Sequence, residues 1–465
     1  MSTDTRERLV RDVSLAAAVA IILAQVIGTG VFVKARAMTC SAGTPGLVLG
    51  AWLAGGVFTF AGALAYAELG AMFPRSGGEL HFLRAAYGPA TAFLFGWTLI
   101  LVGKSGSQAA LAVASAIFLN DWLGGGLSPL AAKGVALGAI ALATVVNLAS
   151  VRNNGRFASA LSAVKIGLIG AVALAGFVYS RGALANFGGT AAGAACADIP
   201  ASARFGIAGF GAAVVGALWG YSGWGNLTML GAELRRPERN LPRAMGFGIA
   251  AIVALYLLAN AAYFYALSPE RVASIGLGSS VAHEVVTRAF GAGAAGLMAA
   301  ALLVSSFGSL HVSMLTGARV PYALAQGGLF PAAFGAVSER FRSPWVAVLA
   351  QGGWAALLAL SGSFDVLTDF TVFGGLVFQA LAVAAVFVLR RTQPDASRPY
   401  RTWGYPVLPA LYIAATAWLV VSTLLATPGR ALAGLALIAL GIPVYGYFAR
   451  QRRDEPLAAH ADTEK

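Results

Sequence analysis

The sequence predicts an all-α membrane protein of about twelve transmembrane helices, arranged as a five-plus-five inverted repeat with broken helices 1 and 6. Three observations carry this. The 465 residues are 58% hydrophobic and only 11% charged, with a mean hydropathy of +0.75, a balance foreign to soluble domains of this size. Apolar runs of about eighteen residues or more, long enough to cross a bilayer, recur from end to end. Two of these runs, first and sixth in order, are interrupted by glycine inside the apolar stretch. Five is an odd number of crossings, so a second copy starting at the sixth run lies upside down in the membrane.

By hydrophobic length the spans run over 13–33, 47–72, 91–118, 131–148, 157–179, 207–230, 245–266, 292–319, 344–360, 367–389, 406–426 and 431–448. They divide the chain into a cytoplasmic tail (1–12), a first repeat (13–180), an external loop (181–206) and a second repeat (207–389). Two further spans with their preceding loop (390–448) and a second cytoplasmic tail (449–465) complete it. Alternate loops differ in charge. One set carries Arg6, Arg8, Arg11, Arg75, Arg84, Arg152, Arg156, Arg235, Arg236, Arg239, Arg243, Arg340, Arg342, Arg390, Arg391, Arg398, Arg401, Arg450, Arg452 and Arg453. The other has only Lys34, Arg36, Lys133, Arg181, Arg204, Arg271, Arg288 and Arg430. The positive-inside rule therefore puts both termini in the cytoplasm. The net charge of +13 sits in these short loops and not on a basic face, which excludes nucleic acid as a partner and leaves membrane lipid. The first run leads straight into further spans without a small-residue cleavage site, so it reads as a retained helix.

The first span contains Gln25-Val-Ile-Gly-Thr-Gly-Val-Phe32. Glycine weakens a helix interior. In lipid every freed backbone group needs a partner, so a broken helix persists only where it is buried or lines a cavity. Such a break offers amide N–H groups at one half-helix end and carbonyls at the other, a cradle for a molecule with a carboxylate and an ammonium group. The sixth span repeats the pattern in Ala217-Leu-Trp-Gly-Tyr-Ser-Gly-Trp-Gly-Asn226 and ends in the charged run Glu233-Leu-Arg-Arg-Pro-Glu-Arg-Asn-Leu-Pro242. Glycine also serves close helix packing; with 58 glycines in the chain, Gly50, Gly55, Gly56 and Gly62 read that way. Two interruptions at corresponding places in the halves, each beside polar and aromatic residues, read as a binding site.

Several motifs together resemble the amino acid–polyamine–organocation (APC) superfamily, and within it the bacterial side of the L-type amino-acid transporter (LAT) branch. Ile27-Gly-Thr-Gly-Val-Phe32 is similar to its helix-one signature. Tyr221-Ser-Gly-Trp224 with Arg236-Pro-Glu-Arg-Asn-Leu-Pro-Arg-Ala244 resembles its sixth helix and following loop. Pro74-Arg-Ser-Gly-Gly78 with Ala86-Tyr-Gly88 resembles its first cytoplasmic loop, Phe307-Gly-Ser-Leu310, Arg319 and Gly327-Gly-Leu-Phe-Pro331 its helix eight and exit, and Arg398-Pro-Tyr-Arg-Thr-Trp-Gly-Tyr-Pro406 the loop before helix eleven. The resemblance covers nearly the whole chain. It implies a LeuT-like permease in the bacterial cytoplasmic (inner) membrane, moving small to medium neutral L-amino acids by alternating access and working as an exchanger. The carboxylate is expected at the amides of Thr29, Gly30 and Val31. The amino group is expected at the carbonyls of Val26, Ile27, Trp219 and Ser222, with Gly28, Gly220, Tyr221 and Gly223 completing the site and Trp219 standing as an aromatic gate. His81 and His311 stand where the family leads one to expect tyrosine and asparagine, and Ser222 where glycine is common; these departures bear on side-chain selectivity. The loop between spans three and four has no cysteine, so no disulfide-linked heavy subunit is expected.

Ionisable residues within a membrane mark function by default. Lys165 lies more than two turns from either end of its span, too deep to snorkel. Its position resembles that of a helix-five lysine whose ammonium stands in for a sodium ion, tying helix five to helix one. This predicts sodium-independent transport; the alternative is that the amine loses its proton and couples transport to pH. Lys104, with Ser107 and Asn226, is either on the substrate pathway or a structural contact. Glu68, Glu233 and Asp369 lie near span ends, so no carboxylate is expected deep in a span and cationic substrates are disfavoured; an acidic or other amine-containing substrate is the remaining alternative. His311 reads as a packing residue or a proton relay. Cys40 and Cys196 both fall in outside connections and pair if that face is oxidising. No metal or cofactor site is expected. A membrane enzyme would need a nucleophile or metal set in the spans, and a channel a symmetric filter; neither pattern is present. A Gly30→Leu change is expected to abolish binding while leaving the fold largely intact.

Overall fold

The computed structural model describes residues 13–74, 78–149, 154–194, 196, 198–230, 234–338 and 343–454. Arg6, Arg8, Arg11, Arg75, Arg152, Glu233, Arg340 and Arg342 lie outside the described residues.

The elements among these residues are helical throughout, apart from one isolated bridge between Val13 and Leu234. Eight helices among the described residues are long and apolar enough to span a bilayer: Pro45–Met72, Pro89–Trp122, Pro129–Leu148, Pro237–Ala266, Ala292–Gln326, Phe364–Thr392, Val407–Ala426 and Pro428–Arg450. The other four expected spans are shorter or interrupted. They are the split first span (Leu15–Val26 and Gly30–Ala42), the fifth, whose shorter apolar stretch is Ala163–Tyr179, the sixth (Gly206–Tyr221) and the ninth (Trp345–Ser361).

Local chemistry sets the starts and stops. Ser14, Thr44 and Ser363 cap their helices by accepting from Ala17, Leu47 and Val366 amides, supplying acceptors that the first turn lacks. Pro45, Pro89 and Pro237 occupy first positions, where no amide is needed. Gly43, at φ 83°, ends the first span in the left-handed conformation that glycine adopts without strain.

Each of the first four spans packs against the span five places later. The outer half of the first meets the sixth, the second meets the seventh, the third the eighth and the fourth the ninth. This is the pairing that two inverted halves produce. The tenth span, Phe364–Thr392, touches the second, third and sixth.

One boundary differs materially from the sequence expectation. The first span continues to Ala42, beyond the position 33 set by hydropathy. Lys34 and Arg36 are therefore buried inside the helix, where the sequence reading puts loop charges. A hydropathy window cannot anticipate charges that are neutralised by partners hundreds of residues away.

Candidate functional site

The first span stops being helical at Ile27, whose backbone is extended, and restarts at Gly30. The sixth ends at Tyr221; Ser222 is extended, Gly223 takes φ 106°, and a 3-10 turn follows over Trp224–Leu230. The breaks fall at the glycines singled out in the sequence. They also face each other. A β-carbon on Gly30 would come within 2.8 Å of the Gly220 α-carbon and 3.0 Å of the Trp219 ring. Gly223 lies against the Gln25 carbonyl, 3.3 Å from where its own β-carbon would stand. Val26, Ile27, Gly28, Thr29, Gly30 and Val31 are thus brought together with Trp219, Gly220, Tyr221, Ser222 and Gly223. Gly28 is the open member: the nearest atom to its missing β-carbon is the Val26 carbonyl oxygen at 3.8 Å. The Gly30→Leu expectation needs correcting here. The neighbour at Gly30 is backbone, which cannot move aside, so a side chain there disturbs the packing itself.

Two of the expected amine-binding carbonyls are already engaged. The Tyr256 hydroxyl, from the seventh span, lies 2.8 Å from the Gly220 carbonyl and 3.0 Å from that of Val26. A phenol has one proton, so the two carbonyls share it. The Ser222 amide donates to the Trp219 carbonyl at 3.1 Å. Tyr263 donates to the Val31 carbonyl at 3.2 Å. Both tyrosines are fully buried and stitch the broken helices to the seventh span. Sequence reasoning missed them, although Tyr256 and Tyr263 stand seven apart on one helix face, the spacing of a stripe directed at a common neighbour.

A lid closes the site on the Lys34 side. The Trp219 indole stands 3.4 Å from the Thr29 hydroxyl and meets Phe364 edge-on at 6.1 Å. Beyond it the Lys34 ammonium, 1% exposed, pairs with Asp365 at 2.9 Å and Asp369 at 2.8 Å on the tenth span. A cavity of about 50 Å³ remains there, lined by Lys34, Met38, Gly216, Asp365, Asp369 and Arg430 among others. Arg36 grips Asp198 with two bonds of 2.8 and 2.7 Å and the Ile275 carbonyl with a third; that guanidinium holds the Asp198 carboxyl below its usual range. Cys40 and Cys196 form a disulfide beside it.

At the opposite end, Glu68, 1% exposed, accepts two bonds from Arg390 (2.9 and 2.7 Å) and one from the Thr402 amide (2.6 Å). These carboxylates lie near helix ends. Glu68, Asp365 and Asp369 are committed to basic partners.

Lys165 is 5% exposed and donates to the Ser309 hydroxyl at 2.8 Å. That partner lies on the eighth span, where the sequence reading names helix one; the fifth span itself packs along the first. Lys104 is 3.5 Å from Thr316 on the eighth span. Ser107 and Asn226 are half-buried. His311 meets Asn147 at 3.0 Å.

A family model described as "Amino acid permease" matches residues 13–446. The chain belongs to the amino acid permease family. The serine/threonine exchanger SteT of Bacillus subtilis (strain 168) is 30% identical over 447 residues, covering 96% of this chain and 98% of its own. The human b(0,+)-type amino acid transporter 1 is 27% identical over 428 residues, 90% of this chain and 84% of its own. The human large neutral amino acids transporter small subunit 2 is 29% identical over 453 residues, 94% and 80% respectively. The chain is thus an integral membrane amino-acid permease of the APC superfamily and its LAT branch, a transporter and not an enzyme, with the LeuT-like fold of that superfamily.

Proposed function

We propose that this permease is a sodium-independent exchanger of small to medium neutral L-amino acids, held between the two unwound segments. Gly30 against Gly220 supports that reading most directly, because it joins both breaks into one polar backbone surface next to the open face of Gly28. The carboxylate meets the free amides that begin the helix at Thr29, Gly30 and Val31. The amino group meets the carbonyls of Ile27 and Ser222, with Val26 and Trp219 contributing their second lone pairs. The name of the SteT relative, a serine/threonine exchanger, favours small substrates. Lys165 takes the place of a coupling cation, and Lys104, Ser107 and Asn226 line the path. The halves are 13–180 and 207–389. The protein sits in the bacterial cytoplasmic membrane among its lipids, with both termini in the cytoplasm. Both cysteines of the chain are used in one internal disulfide, which favours function without a disulfide-linked heavy subunit.

Counterflow of labelled serine in proteoliposomes, with and without sodium and with an imposed pH gradient, tests this. Trans-stimulation unchanged by either gradient is expected. Strong sodium dependence overturns the role of Lys165, and accumulation driven by the pH gradient favours proton symport.

A further inference from the structure

Asp121 is a buried carboxylate that substrate binding does not use. It stands in the last turn of the third span, 4% exposed, and reaches to the connection between the seventh and eighth spans. Its two oxygens accept three bonds there: from the Ser279 hydroxyl at 2.5 Å, the Ser280 hydroxyl at 2.9 Å and the Ser280 amide at 3.2 Å. Asn120 beside it donates to the Gly278 carbonyl at 2.8 Å. A buried carboxylate is costly unless its lone pairs are filled, and here the connection fills them.

The same connection is gripped from the first span. The Arg36 side chain donates to the Ile275 carbonyl at 2.6 Å. The short helix Pro269–Ala273 packs on the outer half of that span, where Ala273 is buried with Cys40 and Cys196. The helix after the connection, Val281–Phe290, packs on the eighth span and the end of the fifth, and touches the first as well. Between the two short helices, residues 274–280 form no helix, and both grips fall within them. The grips stand on different bodies. The first, second, sixth and seventh spans pack on one another, and so do the third, fourth, eighth and ninth; the fifth and tenth touch both groups. Arg36 belongs to the first group and Asp121 to the second. Alternating access between inverted halves is largely a rocking of one such body against another.

Resting on the transport reading above, we propose that residues 275–280 are a strap between the two bodies, held by Arg36 at one end and Asp121 at the other, and that the strap keeps the Lys34 face closed. With both ends held, the outer half of the first span cannot swing away from the third without breaking a hydrogen bond to a charged group, the stronger kind. Freed at either end, the strap no longer opposes that swing and the lid opens more readily. Asp121 and Arg36 act here as positioning residues; neither lies in the two breaks.

The test is the rate at which a membrane-impermeant maleimide reaches a thiol under the lid, in purified full-length protein in lipid nanodiscs. Val215→Cys supplies that thiol: Val215 is 4% exposed and lines the cavity at Lys34, and both native cysteines are paired. In that background Asp121→Ala should speed labelling at least about threefold, by raising the open fraction. Arg36→Met should do the same. The two together should label no faster than the faster single variant, because a strap cut once is already slack, whereas independent structural damage adds. Ser279→Ala removes one bond and leaves Ser280 capping the His283 amide; it should speed labelling by a smaller factor, and it carries the test if Asp121→Ala does not fold, as judged by its unfolding transition. Unchanged labelling in folded Asp121→Ala or Ser279→Ala, or additive effects in the double variant, would overturn the strap. Serine counterflow by the wild-type protein is recorded in parallel: its absence overturns the transport reading itself, and its presence with unchanged labelling overturns the strap alone.

Discussion

Gly30 lies flat against Gly220: a β-carbon on the first would come within 2.8 Å of the α-carbon of the second. Two broken helices can approach this closely only where neither carries a side chain. Gly30→Ala should therefore cost about 1–3 kcal/mol through overpacking. Loss of transport in that variant would come with a lower unfolding midpoint, read by thermal denaturation in detergent.

Tyr256 binds the breaks from behind. Tyr256→Phe keeps the ring in its fully buried site and removes the only proton shared by the Val26 and Gly220 carbonyls. Leaving buried acceptors without a donor costs about 1–3 kcal/mol. The expected result is a moderate drop in stability with a larger rise in substrate KM, because the geometry of both unwound segments loosens. Unchanged KM would remove Tyr256 from the site.

Much of this was legible in the sequence. Glycines beside Thr29 and Ser222 located both breaks, since a helix interrupted in lipid needs a reason. Cys40 and Cys196 were read as lying on one face and do pair, although Cys40 sits in the last turn of the first span and not in a loop. What was not legible lies in pairings across the fold. Lys34 reads as a loop residue until Asp365 and Asp369 are seen beside it, more than 300 positions on. Glu79 carries no signal in the sequence, because a short loop helix turns it back into the protein. Tyr256 has no motif: its role comes from two carbonyls that no periodicity reports.

Lys34 closes the lid. Removing one partner of a fully buried ion pair costs about 3–5 kcal/mol; the Asp369 side chain is 37% exposed, so Lys34→Met should cost less. The lid should open more readily, and the KM for substrate on that face should change while the KM on the opposite face stays close to wild type. Asymmetric kinetics in oriented vesicles check this.

Lys165 replaces an ion. Lys165→Met removes the ammonium that bonds Ser309 and should slow exchange at least about tenfold, a loss of roughly 1.4 kcal/mol or more of transition-state stabilisation. Added sodium should not restore it, because the methionine side chain fills the space. Full activity in this variant, measured by counterflow, would show that no fixed charge is needed there.

Glu79 also links stability to pH. Its folded pKa, about 7, lies above the ordinary 4.5, so its contribution is fully present below about 4.5 and is lost as pH rises through about 7. Glu79→Gln should flatten the unfolding midpoint between pH 5 and pH 8.

Substrate is proposed to lie in the first-span break. Gly28 tests it best, because the nearest atom to an added β-carbon there is 3.8 Å away and the fold can accept a methyl. The measurement is equilibrium binding of labelled serine to purified wild-type protein and Gly28→Ala, with unfolding midpoints recorded alongside. Equal midpoints are expected, with binding weakened at least about tenfold, or 1.4 kcal/mol. Wild-type affinity in a normally folded Gly28→Ala would contradict it.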